Sequence, residues 1–109
     1  MKFKAVNKNK EFVRGYKKGQ ASVGALAVVY LIKNRFGYTR IGITASKKVG
    51  NAVKRNRARR VIRESVRKLP IDFSKSVDII LVARGKTPYV KQSAVQTQLE
   101  AQFKKMGLI

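Results

Sequence analysis

Apolar and polar positions recur along this chain with two different periods, and the change of period marks its elements. From Asn7 to Lys18 the side chains of Phe12, Val13 and Tyr16 fall at helical spacing, with Asn7 or Asn9 placed to cap the start and Gly19 to stop the end. This predicts a short amphipathic helix, although Gly15 inside it costs about 1 kcal/mol relative to Ala. Residues Val23 to Ile32 are nearly all apolar and rich in Val and Leu, which predicts a strand buried on both faces, long enough to bend or split in two. Asn34-Arg35-Phe36-Gly37 reads as a turn. From Tyr38 to Ser46 the period becomes two: Thr39, Ile41, Ile43 and Ala45 point one way, and Tyr38, Arg40, Gly42, Thr44 and Ser46 the other. These two strands are expected to pair as a hairpin with one polar face.

Gly50-Asn51 opens a second helix, in which Val61, Ile62, Val66 and Leu69 form a single stripe that Pro70 ends. Ser76 to Ala83 predicts a third strand and Gly85 to Pro88 a loop. Val90 to Met106 predicts a last helix with Val95, Leu99, Phe103 and Met106 on its inner face. The order α-β-β-α-β-α, without repeat or linker, predicts one α+β domain over residues 1–109 with a mixed sheet and helices around one core. The basic residues before Lys8 are expected to be loose until they meet a partner.

Composition narrows the partners. The chain carries 26 Lys and Arg against 5 Asp and Glu, a formal charge of +21, so nearly all of its folded surface repels itself unless a polyanion covers it. Nucleic acid is the first candidate. The longest apolar run, Ala25 to Ile32, is far too short to cross a bilayer core of ~30 Å. Met1-Lys2-Phe3-Lys4 lacks the layout of a secretory signal. Cys and His are absent, which removes disulfides, thiolate zinc sites and the usual general base, and a reducing cytoplasm fits this usage.

Charge is concentrated between Lys47 and Lys68, where ten residues are basic and Glu64 alone is acidic. On a helix Asn56, Arg60, Arg63 and Arg67 follow spacings of four, three and four. With Arg57 beside Arg60, they share the face opposite Val61, Ile62 and Val66. A solvated helix face normally mixes charge signs; this one does not. Arg donates two parallel hydrogen bonds to a phosphate and keeps its charge near neutral pH. Unpaired amides at the helix start, approached by Lys47, Lys48 and Asn51, add a phosphate-binding corner.

The string Ser46-Lys47-Lys48-Val49-Gly50-Asn51-Ala52-Val53-Lys54-Arg55-Asn56-Arg57-Ala58-Arg59-Arg60-Val61-Ile62-Arg63-Glu64 closely resembles the signature of the bacterial ribonuclease P protein family. Asn9-Lys10-Glu11-Phe12 with Tyr16, Tyr30, and Arg40-Ile41-Gly42-Ile43-Thr44 support the resemblance, which runs over roughly residues 8 to 84. It implies an α/β sandwich with a left-handed β-α-β crossover, against the usual right-handed rule. It also implies two RNA surfaces. Arg55, Asn56, Arg57, Arg60 and Arg63, with Lys47, Lys48 and Asn51, would contact the RNA subunit. Phe12, Tyr16, Tyr30, Arg40 and Thr44 would line a cleft for the single-stranded 5′ leader of precursor tRNA. Spacing alone fits core packing of Phe12 and Tyr16 at least as well, and Tyr30 is equally ambiguous. Arg40, a long cation on a polar strand face, is expected to reach solvent or a phosphate.

Glu11, Glu64, Asp72, Asp78 and Glu100 are scattered without a metal-site spacing, and no nucleophile and base stand together. The chain itself is not expected to cut RNA. In the family it resembles, the RNA subunit hydrolyses the phosphodiester with Mg²⁺ that it mainly holds, and the protein needs no oligomer of its own. Two other readings share the size and charge: a structural ribosomal protein, which predicts no leader cleft, or a general RNA-binding protein. A membrane-active protein would need an exposed apolar helix face, which the strands can instead bury.

Overall fold

The computed structural model describes residues 4–6 and 8–109. Strand β1 (Lys4–Ala5) is followed by helix α1 (Asn9–Lys18), strands β2 (Gln20–Val23), β3 (Ala27–Lys33) and β4 (Arg40–Thr44), helix α2 (Ala52–Arg67), strand β5 (Val77–Ala83) and helix α3 (Gln92–Lys105). Short 3-10 turns at Lys47–Val49 and Thr87–Tyr89 precede α2 and α3. The strands form one mixed sheet in the order β1-β4-β5-β3-β2.

Strand β5 takes the centre, with Ile79 and Leu81 facing one layer and Ile80 the other, all fully buried. It runs parallel to β4 and antiparallel to β3. The hairpin expected between the strands at 23–32 and 38–46 therefore does not form. The residues read as its turn, 34–37, belong to a loop that passes the start of β5. Thr39 fastens this loop through its amide to the Phe73 carbonyl at 3.0 Å and its hydroxyl to the Lys75 carbonyl at 2.6 Å. The real hairpin turns at Gly24-Ala25-Leu26, at the start of the apolar run, and pairs β2, of which only Val23 belongs to that run, with β3 from Gln20↔Leu31 to Val23↔Val28.

Burial on both faces, expected for 23–32, fails for the same reason. β2 is an edge strand with Val23 72% exposed, and β3 alternates between buried and half-buried positions. Near the N-terminus Lys4 and Ala5 are not loose: they pair in parallel with Arg40 and Ile41, and Val6 is buried. Asn9 is the first helical residue rather than the cap. Lys8 occupies the cap position without a side-chain bond, and Asn7 lies outside the described residues.

One face of the sheet, Ile41, Ile79, Leu81, Ala27 and Val29, packs on α2 through Ala58, Val61, Ile62 and Val66 and on α3 through Val95, Leu99 and Phe103. Each large apolar side chain buried there contributes about 1.5–3 kcal/mol. The glutamines of α3 serve the β2–β3 turn: Gln98 Oε1 accepts from the Leu26 amide at 2.6 Å, and Gln102 Nε2 donates to the Ser22 carbonyl at 2.9 Å.

Helix α1 lies alone on the opposite face. Register divides that face into three rows: Arg40, Asp78 and Ile32; Gly42, Ile80 and Tyr30; Thr44, Val82 and Val28. The helix can come close because Gly15 and Gly42 have no side chains. A Cβ on Gly15 would strike Ile80, and one on Gly42 would meet the Phe12 ring at 2.8 Å. With α1 over the first two rows, the third stays half-exposed.

Candidate nucleic-acid interface

The basic segment folds as the pattern predicts. Ser46 accepts from the Lys48 amide at 3.3 Å and shapes the turn before α2. The Asn51 side chain caps the helix by accepting from the Lys54 amide at 3.0 Å. Asn51 thus spends its oxygen on the helix, leaving the amides of the first helical residues to an anion. Val61, Ile62 and Val66 turn inward, while Asn56, Arg57, Arg60, Arg63 and Arg67 are exposed on the far side. Asn56, Arg57, Arg60 and Arg63 line one shallow depression with Val53 and Arg59.

The cations of this face are not equivalent. Arg55 donates to the Gly50 carbonyl at 3.0 Å, and Arg57 Nε to the Pro88 carbonyl at 2.6 Å. Arg59 donates to Asn56 Oδ1, and Arg67 pairs with Glu64 at 3.2 Å. Arg60 and Arg63 have no carboxylate or hydrogen-bond partner among the described residues. They are the cations most open to phosphate. Lys47 and Lys48 are exposed on the approach, and Lys48 borders a hollow with Val28, Val82 and Arg84 at the end of the third row.

On the α1 side of the sheet, Phe12 sits half-buried over Gly42, and Tyr16 meets Tyr30 edge to face with ring centroids 5.1 Å apart. Tyr16 keeps 41% of its surface exposed. Partial burial, and then the neighbouring Tyr30 phenol, raise the Tyr16 hydroxyl above the ordinary phenol pKa. Beyond these rings lie Thr44, Val82 and Val28, half-exposed, then exposed Val23 beside Val28. The result is a groove with aromatic and aliphatic walls that leads to Lys48 and Arg84.

Arg40 departs from expectation. Its Nε donates to Asp78 Oδ1 at 2.9 Å and its Nη2 to Asp78 Oδ2 at 2.6 Å, and the same Nη2 reaches Glu11 Oε2 at 2.8 Å. The side chain is 11% exposed, with its guanidinium 4.2 Å from the Phe36 ring centroid. Held by two carboxylates, chiefly Asp78, it is fixed in the charged form. Its hydrogen bonds go to these carboxylates rather than to open solvent or a phosphate, and it ties α1 to the sheet.

A family model described as Ribonuclease P matches residues 1–107. The chain belongs to the ribonuclease P protein family. A "Ribonuclease P protein component" of Clostridium botulinum (strain 657 / Type Ba4) is 36% identical over 109 residues, covering 99% of this chain and 98% of that protein. A ribonuclease P protein structure from Staphylococcus aureus superposes with a TM-score of 0.81 at 37% identity, covering 98% of each chain. That from Thermotoga maritima superposes with a TM-score of 0.79 at 28% identity, covering 94% of this chain and 96% of the other.

As a ribonuclease P protein component the chain works in tRNA processing, and the ribosomal reading gives way. The structure brings the sequence-derived residues together as two groups: Lys47, Lys48, Asn51, Arg55, Asn56, Arg57, Arg60 and Arg63 along α2 and its approach, and Phe12, Tyr16, Tyr30 and Thr44 around the groove. Arg40 stands behind the groove rather than in it. Sequence reasoning missed Val28, Val82 and Arg84. Their place depends on β5 lying between β3 and β4, an order that periodicity does not reveal; the Arg84-Gly85-Lys86 cluster was the one visible signal.

Proposed function

We propose that the exposed face of α2 binds the RNA subunit of ribonuclease P. On this reading the groove between α1 and the third row of the sheet holds the unpaired 5′ leader of precursor tRNA in the cytoplasm. The observation that carries it is the contrast between neighbouring surfaces of one small domain. Arg60 and Arg63 stand free on a rigid helix, suited to phosphates of a folded RNA. The groove instead offers half-exposed rings and aliphatic side chains, which stack on unpaired bases for about 1–3 kcal/mol per base without selecting sequence.

Phosphodiester hydrolysis then belongs to the RNA. Every Asp and Glu side chain has a partner: Glu11 and Asp78 are held by Arg40, Glu64 by Arg67, Glu100 by Lys104, and Asp72 by Ser74. Mg²⁺ seeks free oxygen ligands, and this donor set does not fit it, so the Mg²⁺ of the complex is assigned to RNA phosphates. The cations of the protein screen phosphate repulsion where the two RNAs meet.

Affinity for precursor tRNA tests the groove. In the complete ribonucleoprotein, wild type should bind a long-leader precursor more tightly than a leaderless one. Tyr16→Ala should shrink that difference by about tenfold, the effect of one lost base stack. An undiminished leader preference in Tyr16→Ala and in Thr44→Arg would overturn the groove assignment.

A further inference from the structure

The two flanks of α1 differ in use. Phe12 and Tyr16 face the groove, whereas Glu11 leans the other way to Arg40, beside the loop of residues 34–39. On that far flank Phe36 and Tyr38 are 50% and 38% exposed, their ring centroids 5.9 Å apart at an interplanar angle of 36°. Exposed aromatic pairs on a loop normally lose their order, but this loop is cross-braced. Asn34 Oδ1 accepts from the Phe36 amide at 3.0 Å, while its Nδ2 donates to the Tyr38 carbonyl at 3.2 Å and to Asp78 Oδ1 at 2.7 Å. Ser76 Oγ accepts from the Gly37 amide at 3.0 Å and donates to Asn34.

The guanidinium beneath Phe36 is fixed as well, because Asp78 and Glu11 hold it. Two rings are thus held in place, one of them backed by a cation, with Arg35 exposed beside them. The adjoining groove is lined by Arg14, Lys18 and Lys33, none paired with a carboxylate among the described residues. The nearby acids, Glu11 and Asp78, are both held by Arg40, and the single negative charge left on that triad is outweighed by Arg14, Lys18, Lys33 and Arg35. Rigid π-faces among unpaired cations have one natural ligand chemistry: nucleobases stack on the rings while phosphates follow the cations. A protein partner of this surface would need acidic side chains and an apolar seat larger than two rings.

We propose that Phe36 and Tyr38, with Arg35, form a second binding site for unpaired RNA, separated by α1 from the leader groove. The site does not depend on the groove reading, since it uses neither Phe12, Tyr16, Tyr30 nor Thr44. A substrate strand occupying both flanks would embrace α1.

The test is the affinity of the full chain for an oligouridylate long enough to reach both flanks of α1, measured by fluorescence anisotropy at raised salt so that non-specific attraction is screened. Phe36→Leu combined with Tyr38→Leu should weaken binding by about tenfold, the loss of a single stacked base, and Phe36→Tyr should not. Arg35→Glu, which leaves both rings and their braces intact, should also weaken it, guarding against a loop that merely rearranges. Tyr16→Ala should produce its own loss, and because one strand spans both flanks the two losses should multiply in the combined variant. Wild-type affinity in both the double-Leu and the Arg35→Glu variants would overturn the second site, whereas wild-type affinity in Tyr16→Ala alone would remove the groove and leave the second site standing.

Discussion

Arg40 and Asp78 form a two-pronged ion pair at the foot of the sheet, with donor–acceptor distances of 2.9 and 2.6 Å, and the carboxylate is only 3% exposed as a residue. They sit directly opposite each other in the parallel β4–β5 register. Glu11 extends the pair to α1. Removing one member leaves the other charged and short of partners in a poorly solvated place. Asp78→Ala is therefore expected to destabilise the fold by about 3–5 kcal/mol, measured by urea unfolding. Arg40→Lys, which cannot donate the paired bonds, should fall between wild type and Arg40→Ala.

Helix α1 offers a prediction opposite to propensity. Gly→Ala inside a helix ordinarily stabilises by roughly 0.5–1 kcal/mol, yet a Cβ at Gly15 runs into the Ile80 side chain. Gly15→Ala should lower stability by about 1–3 kcal/mol through overpacking, and Ile80→Val in the same chain should recover part of the loss. A more stable single variant in thermal unfolding would contradict this packing of α1.

That helix also shows how far sequence carries. The spacing of Phe12 and Tyr16 located α1, and the stripe of Val61, Ile62 and Val66 oriented α2, because helical periodicity is local. Strand order is not local. Nothing in residues 23–46 reveals that β5, some forty residues later, inserts between them, so the expected hairpin was displaced and Val28, Val82 and Arg84 went unnoticed. Arg40 was misjudged for the same reason: its partners, Asp78 and Glu11, arrive from β5 and α1. The α2 face, by contrast, was legible almost residue by residue, since one helix carries it all.

Among those residues the free and the tethered cations should separate by experiment. Replacing both Arg60 and Arg63 by Ala is expected to weaken RNA-subunit binding and make the salt dependence shallower by roughly one unit of slope per lost phosphate contact. Arg55→Ala, which removes the bond to the Gly50 carbonyl, should act on the approach turn and leave the slope nearly unchanged. Filter binding over a range of salt concentrations reads both.

The Tyr16 phenol adds a pH signature. Its folded pKa is raised, so the protonated form is favoured in the folded chain. The associated stability is full below the unfolded phenol pKa of about 10 and is lost as pH rises through the folded value. Absorbance titration should show a late tyrosinate component that disappears in Tyr16→Phe, and that variant should lose less stability on the alkaline side than wild type.

Cleavage of a long-leader precursor tRNA at low Mg²⁺ bears most directly on the division of labour between protein and RNA. Three reactions are compared: the chain alone, a bacterial ribonuclease P RNA alone, and the two together. The account predicts no cleavage by the chain alone, slow cleavage by the RNA, and strong stimulation by their combination that fades as the leader is shortened. Cleavage at the mature 5′ end by the chain without RNA, or no stimulation of any such RNA despite tight binding, would contradict it.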